Sequence, residues 1–289
     1  MHPSDAPSLS IADVRRSLKD ALTDKYGLRE ATAMARIAVA TLKGWSFNEL
    51  VANEDRPASD FLINRIDEIK SQLLNDMPLQ YALGQTVFYG LTLKVGPGVL
   101  IPRPETEQLV DLIVKENPGA DLRVLDVCTG SGAIALALAR NLPFSRVDAV
   151  DVSPRALDYA RRNTSDLKAK INILQEDVFS FTPKDSSYDI IVSNPPYIDE
   201  SEKAGMEANV LDYEPHEALF VSDSDPLVFY RRIAELGLTT LCAGGRLYFE
   251  INPRHAADLK ALLENMGYAD VEVLKDVHGS LRFAKARKE

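Results

Sequence analysis

Residues 193–198 read Ser-Asn-Pro-Pro-Tyr-Ile and follow the apolar run Tyr188–Val192. A short apolar run bounded by turn residues reads as a buried strand. Two adjacent prolines end it, because neither can donate to a ladder. The residues placed at that strand end suit one kind of chemistry. An amide or aromatic-amine nitrogen is a poor nucleophile, since its lone pair is delocalised. Two acceptors aimed at its two N–H bonds would hold it and raise its electron density. Asn194 offers a side-chain oxygen and Pro195 a backbone carbonyl. The fixed φ of Pro195 and Pro196 aims those carbonyls in advance, at little further entropic cost. Tyr197 can stack its ring on a flat target group. The tetrapeptide therefore predicts methyl transfer to a planar NH2 nitrogen, a displacement that needs no metal and no covalent intermediate.

A second stretch, Leu125–Leu136, reads LDVCTGSGAIAL. Gly130 and Gly132 permit a tight turn and close approach of a ligand. Ligands of open α/β sheets bind at the carboxyl ends of strands. Asp151, 21 residues beyond Gly130, ends the next apolar run. A carboxylate there can accept from both hydroxyls of a ribose, so an adenosine-containing cofactor is expected. The loop alone leaves two choices. Gly130, Gly132 and Ala135 spell GxGxxA, and Asp151 is spaced as in a nicotinamide enzyme. The S-adenosyl-L-methionine loop instead carries an acid at the end of its first strand, as Asp126 does. Asp177 can face an adenine amino group, and the next backbone N–H, of Val178, a ring nitrogen. The Asn-Pro-Pro-Tyr segment favours S-adenosyl-L-methionine, with S-adenosyl-L-homocysteine as product, because a nicotinamide enzyme has no evident use for it. His2, His216, His255 and His278 sit in no catalytic motif and read as surface or packing residues.

The elements that must position these residues are legible in the pattern. Up to about residue 75 the chain reads as helices, with Ser10 and Ser59 as N-caps and Gly44 as a stop. Residues 85–95 hold two β-rich pieces meeting at Gly90, a hairpin signal. A proline-rich stretch then leads to a helix from Pro104. After about residue 120, strands and helices alternate, which implies a parallel sheet covered on both faces. The last two strands, joined by a short turn, are expected to form an antiparallel hairpin at one edge. The predicted class is α/β: a Rossmann-like, seven-stranded methyltransferase domain over 105–289, a helical N-terminal domain over 1–76 and a β-hairpin linker over 77–104.

Composition narrows the setting. The 289 residues are 45% hydrophobic and 26% charged, enough for a full core. No run is long and apolar enough for a membrane span. The start carries no signal-peptide pattern. Cys128 and Cys242 are far apart, which suggests a reducing compartment and no structural zinc; a cytoplasmic protein is expected. The net charge of −10 is carried almost wholly beyond residue 95 and disfavours a nucleic-acid substrate.

The segments PLQYALGQTVFYGLTLKVGPGVLIPRPETEQLVD, VLDVCTGSGAIALALA, IVSNPPYI and YEPHEALF together resemble the peptide-chain release factor glutamine N5-methyltransferases, across nearly the whole chain. The resemblance implies a substrate, the glutamine of the Gly-Gly-Gln loop in class I release factors, and an N-terminal domain that helps to dock it. By position, Asn194, Pro195, Pro196 and Tyr197 would hold the glutamine. Asp126, Cys128, Thr129, Gly130, Ser131, Gly132, Asp151, Asp177, Val178 and Asn194 would bind the cofactor. The chain departs from the pattern at Cys128 and Asn252, where glycine is expected. The runner-up is an adenine-N6 DNA methyltransferase, which shares the Asn-Pro-Pro-Tyr segment but must flip its base. A non-catalytic relative would not be expected to retain the complete tetrapeptide.

Overall fold

A computed structural model of the chain describes residues 9–183 and 187–289. It divides into two compact units: residues up to Gly84 with Ala208–Tyr213, and Gln85–Glu207 with Glu214–Glu289. His2 lies outside the described residues. Among them, no helix is long and apolar enough to cross a membrane.

The first unit is helical. Helix α1 (Ile11–Lys43) starts at a capping box between Ser10 and Asp13. Gly27, at φ 77° and ψ 156°, interrupts its path, so the two helices expected here run end to end. Gly44 closes it in the left-handed conformation. Ser46 and Ser59 cap α2 (Phe47–Asn53) and α3 (Asp60–Leu74). The short α4 (Leu79–Leu83) follows. Leu18, Leu22, Ala35, Val39, Ile66, Ile69 and Leu73 form the core, and Leu79 and Ala82 join it. That burial carries the first unit past the expected boundary at residue 76.

The second unit begins with the hairpin β1 (Gln85–Phe88) and β2 (Leu91–Lys94), turning through Tyr89 and Gly90, both at positive φ. Phe88, Leu91 and Leu93 bury in the core of this unit, so the hairpin is part of it rather than a free linker. Then come α5 (Pro104–Glu116), β3 (Arg123–Val127), α6 (Ala133–Asn141), β4 (Arg146–Asp151), α7 (Pro154–Asp166), β5 (Ile171–Gln175) and β6 (Tyr188–Ser193). Beyond β6 lie β7 (Ile198–Asp199), α8 (Ala208–Tyr213, counted with the first unit), α9 (His216–Leu219) and β8 (Phe220–Val221). The chain closes with α10 (Val228–Thr240), β9 (Leu241–Glu250), α11 (Ala256–Asn265), β10 (Ala269–Lys275) and β11 (Leu281–Arg287).

Seven strands form one sheet in the order β10-β11-β9-β6-β3-β4-β5. The five strands from β9 to β5 are parallel, and β11 is antiparallel to both its neighbours. The closing hairpin thus sits at one edge, as its turn signal implied. Strand β3 lies between β4 and β6, so the chain winds away from it in both directions. The crevice beyond its carboxyl end is the expected ligand site.

A buried asparagine ties the hairpin to the loop after β3. Asn163, on α7, accepts from the Lys94 N–H at 2.7 Å and donates to the carbonyls of Lys94 at 3.1 Å and Ser131 at 3.0 Å. Removing it leaves the buried Ser131 carbonyl and the part-buried Lys94 groups without these partners, at roughly 1–3 kcal/mol for a buried group. Asn163→Ala is expected to lower stability by about 2–4 kcal/mol, seen as a lower urea midpoint at unchanged slope.

Candidate active site

Strand register aligns the site. Val127 pairs with Val150 on β4 and Ser193 on β6, and Ser193 pairs with Phe249 on β9. Cys128, Asp151, Asn194 and Glu250 therefore stand in one row across four adjacent strand ends. A cavity with about 1000 Å³ of empty space, part of it open solvent, is lined by Cys128, Asp151 and Asn194 of this row.

The glycine loop is held from beneath. Thr129 donates its N–H to the Val150 carbonyl at 3.0 Å. Asp126 is fully buried, and its Oδ2 accepts from the Thr129 hydroxyl at 2.6 Å and the Ala135 N–H at 3.1 Å. Its Oδ1 has no hydrogen-bond partner among the described residues. Burial pushes this carboxyl up to about 7. Gly130 has φ 58° and donates its N–H to Asp151 Oδ2 at 2.8 Å. Gly132 has φ 81°, and a Cβ there would press on Leu136 and Ala160, so this glycine serves helix packing. Cys128, at φ 61°, occupies the left-handed region with a side chain, which accounts for glycine being the expected residue. Its thiol is raised well above the ordinary range, chiefly by burial.

Asp151 accepts a second backbone N–H, from Ser153, at 2.9 Å on Oδ1. An ionised carboxylate has about four acceptor sites, so two remain for a ligand. Burial raises its pKa against the opposing pull of these N–H donors. Asp177 is exposed at the cavity rim, its Oδ1 accepting from the Phe179 N–H. Val178 is buried, and its carbonyl accepts from Arg232 Nε.

Of the residues expected at the site, Cys128–Ser131, Asp151, Asp177, Val178, Asn194 and Pro196 line the cavity. Asp126, Gly132, Pro195 and Tyr197 do not. Asp126 and Gly132 act one layer below, through the loop. Tyr197 turns its hydroxyl to Glu250 Oε1 at 3.1 Å, and Asn252 Nδ2 holds its carbonyl at 3.0 Å. Its phenol is raised far above the ordinary range, first by burial and then by Glu250. Asn252 also donates to Glu202 and accepts from the Arg254 N–H. An asparagine at this strand end thus clamps the Tyr197–Glu202 segment through two donated bonds. His255 Nε2 lies 2.8 Å from Asp199 Oδ1, outside the row.

Several functional positions had no role assigned from the sequence. Glu214, in the YEPHEALF segment, is 4% exposed; it accepts from the Ile101 N–H at 3.0 Å and from Arg103 at 2.5 Å. It thereby staples the wall of the cavity formed by residues 98–103. Thr106 and Glu250 are likewise buried. The available signal was a single acid inside the apolar run Leu247–Ile251.

The cavity wall carries Asp151, Glu176, Asp177 and Glu217 against the single cation Arg103. That wall, the glycine turns and the free acceptor sites on Asp151 fit a nucleoside whose other end is cationic. A Rossmann-like sheet with this loop, and with Asn-Pro-Pro-Tyr at the fourth strand end, defines an S-adenosylmethionine-dependent methyltransferase. Residues 104–213 match the methyltransferase small domain, and residues 13–84 the PrmC N-terminal domain. The release factor glutamine methyltransferase of Bacteroides thetaiotaomicron is 47% identical, over 94% of this chain and 98% of the relative. That of Flavobacterium psychrophilum is 38% identical, over 95% and 98%. A methyltransferase from Pyrococcus furiosus shares the fold at TM-score 0.51 and 19% identity, over 76% of this chain and 97% of that one. The chain belongs to the release factor glutamine methyltransferase family.

The buried acid beneath the loop makes apo stability depend on pH. The Asp126 carboxyl has its ordinary value of about 3.8 when unfolded, and burial lifts it to about 7 when folded. Below pH 4 both states hold the proton. Between 4 and 7 the unfolded chain loses it first, so the folded state becomes relatively less stable as pH rises. At about 1.4 kcal/mol per unit, the effect approaches about 4 kcal/mol above pH 7. Asp126→Asn removes this titration. Its stability relative to wild type, from urea unfolding without cofactor, is expected to climb between pH 4 and 7 and stay flat outside that window.

Proposed function

We propose that this chain methylates the side-chain amide nitrogen, N5, of the glutamine in the Gly-Gly-Gln motif of class I release factors, using S-adenosyl-L-methionine and leaving S-adenosyl-L-homocysteine. The observation that carries this is the position of Asn194. It stands at the end of β6, lines the cavity and is level with the glycine loop and Asp151. Its Nδ2 is engaged by Thr106, while its Oδ1 has no protein partner among the described residues.

When bound, the cofactor supplies a sulfonium-activated methyl group. The chain's own residues do the rest. Asp151 receives the ribose hydroxyls on its two open acceptor sites, and Asp177 and the Val178 N–H meet the adenine edge. Asn194 Oδ1 and the Pro195 carbonyl accept the two N–H bonds of the glutamine amide, which localises its lone pair. Pro195 and Pro196 fix that geometry before the substrate arrives. The ring of Tyr197, tethered by Glu250, supports the planar amide. The helical unit adds the surface needed to select one glutamine among many, since stable protein interfaces bury about 1,200–2,000 Å².

The direct test incubates the purified protein with methyl-labelled S-adenosyl-L-methionine and, separately, with a class I release factor and with duplex DNA. Label on the motif glutamine, located by mass spectrometry, supports the reading; label only on DNA overturns it. Asn194→Ala is expected to cut turnover by about 100- to 1,000-fold while leaving cofactor affinity nearly unchanged. Asp151→Ala is expected to do the reverse, weakening cofactor binding measured by calorimetry. It loses two charge-assisted hydrogen bonds, each worth roughly 1.5–3 kcal/mol. It also frees Gly130, so the loop itself loosens.

A further inference from the structure

Glu250 is 1% exposed at the end of β9, and Thr106 is 4% exposed in the first turn of α5. The Thr106 hydroxyl donates to Glu250 Oε2 at 2.6 Å. The Tyr197 hydroxyl donates to Glu250 Oε1 at 3.1 Å. Asn194 Nδ2 meets Thr106 Oγ1 at 3.4 Å, a long contact. These four side chains form one directed chain of hydrogen bonds.

The direction follows from counting protons. A threonine hydroxyl has one proton and two lone pairs. With Glu250 ionised, the carboxylate takes the proton, at a distance typical of a charge-assisted bond. Thr106 Oγ1 can then only accept from its other neighbour. Asn194 must therefore turn its NH2 toward Thr106 and its carbonyl oxygen away, toward the cavity. Nothing else among the described residues sets that choice. A carboxamide rotated by half a turn would present two donors to a substrate NH2, which needs acceptors. Burial raises the Glu250 carboxyl, while the two hydroxyl donors and Arg282 on β11 favour its charged form, and Glu105 on α5 opposes it.

We infer that Thr106 and Glu250 are positioning residues that fix which end of the Asn194 carboxamide faces the reacting nitrogen. The inference rests on the proposed methyl transfer for its rate consequence, but not for its geometry. Glu250 also holds Tyr197 by the phenol, so one buried carboxylate sets both functional ends of the Asn-Pro-Pro-Tyr segment.

The test compares Thr106→Val, Thr106→Ala and Thr106→Ser in the full chain. Val keeps the shape and loses the hydroxyl; Ala loses both; Ser keeps the hydroxyl. A hydrogen bond to a charged group carries about 10- to 100-fold, at about 1.4 kcal/mol per factor of ten. Val and Ala should each lose that factor in kcat on a Gly-Gly-Gln peptide, with cofactor affinity within about threefold of wild type. Ser should recover to within about threefold of wild type in kcat. A second readout needs no activity. With asparagine-selective isotope labelling, the Asn194 side-chain NH2 signals of the free enzyme should shift and exchange faster in Val and Ala but not in Ser. A Val variant with wild-type kcat and unshifted signals overturns the relay, as does a Ser variant as slow as Val. If wild type leaves the peptide glutamine unmethylated, the proposed function fails while the NMR comparison still decides the relay.

Discussion

The parallel register of β4, β3, β6 and β9 is the constraint on which the site depends. It places Val150, Val127, Ser193 and Phe249 side by side. The next residue on each strand then emerges at the same edge. A slip of one residue on any strand would turn its side chains to the opposite face. Close packing on both faces of the sheet opposes such a slip, with Leu125, Ile191 and Leu247 on one side and Val124, Ile190 and Tyr248 on the other. Packing far from the chemistry thus fixes the relative height of Asp151, Asn194 and Glu250.

Three carboxylates, Asp126, Asp151 and Glu250, are buried around this row, and burial raises the pKa of each. A buried charge is costly unless donors surround it. Each acid has been given two: Thr129 and Ala135 for Asp126, Gly130 and Ser153 for Asp151, Thr106 and Tyr197 for Glu250. All six donors belong to the loops and segments that line the cavity or support it. The cost of burial is thereby converted into orientation. The glycine loop is pinned to two acids and the Asn-Pro-Pro-Tyr segment to a third.

The proline-rich stretch before α5 works by the same logic. Residues 98–103 have no regular structure, and Val99 and Ile101 anchor them by burial. Glu214 adds a polar tie, accepting from the Ile101 N–H and from Arg103. Asn163 secures the adjoining hairpin to the loop. The wall of the cavity is therefore assembled from segments far apart in the chain, joined through single polar side chains.

The sequence alone determined the elements and which residue types stand at the strand ends. Apolar runs, caps at Ser10 and Ser59, the stop at Gly44 and the turn at Gly90 are local signals, and the energies that set them are local too. Gly130, Gly132, Asp151 and Asn194 were legible because their types and spacing act within a few residues of a strand end. The single long α1, bent at Gly27, differed from two helices only in the path of one glycine. Thr106 and Glu214 lie in segments that carry the family resemblance, and Glu250 and Asn163 in ordinary strand and helix patterns, yet their roles were not legible. Each works on a partner 53 to 144 residues away. Nothing in composition or periodicity encodes which distant side chain receives a proton. That choice is made only when the sheet closes and burial leaves each polar group with one available partner, and this is what the tertiary structure decided.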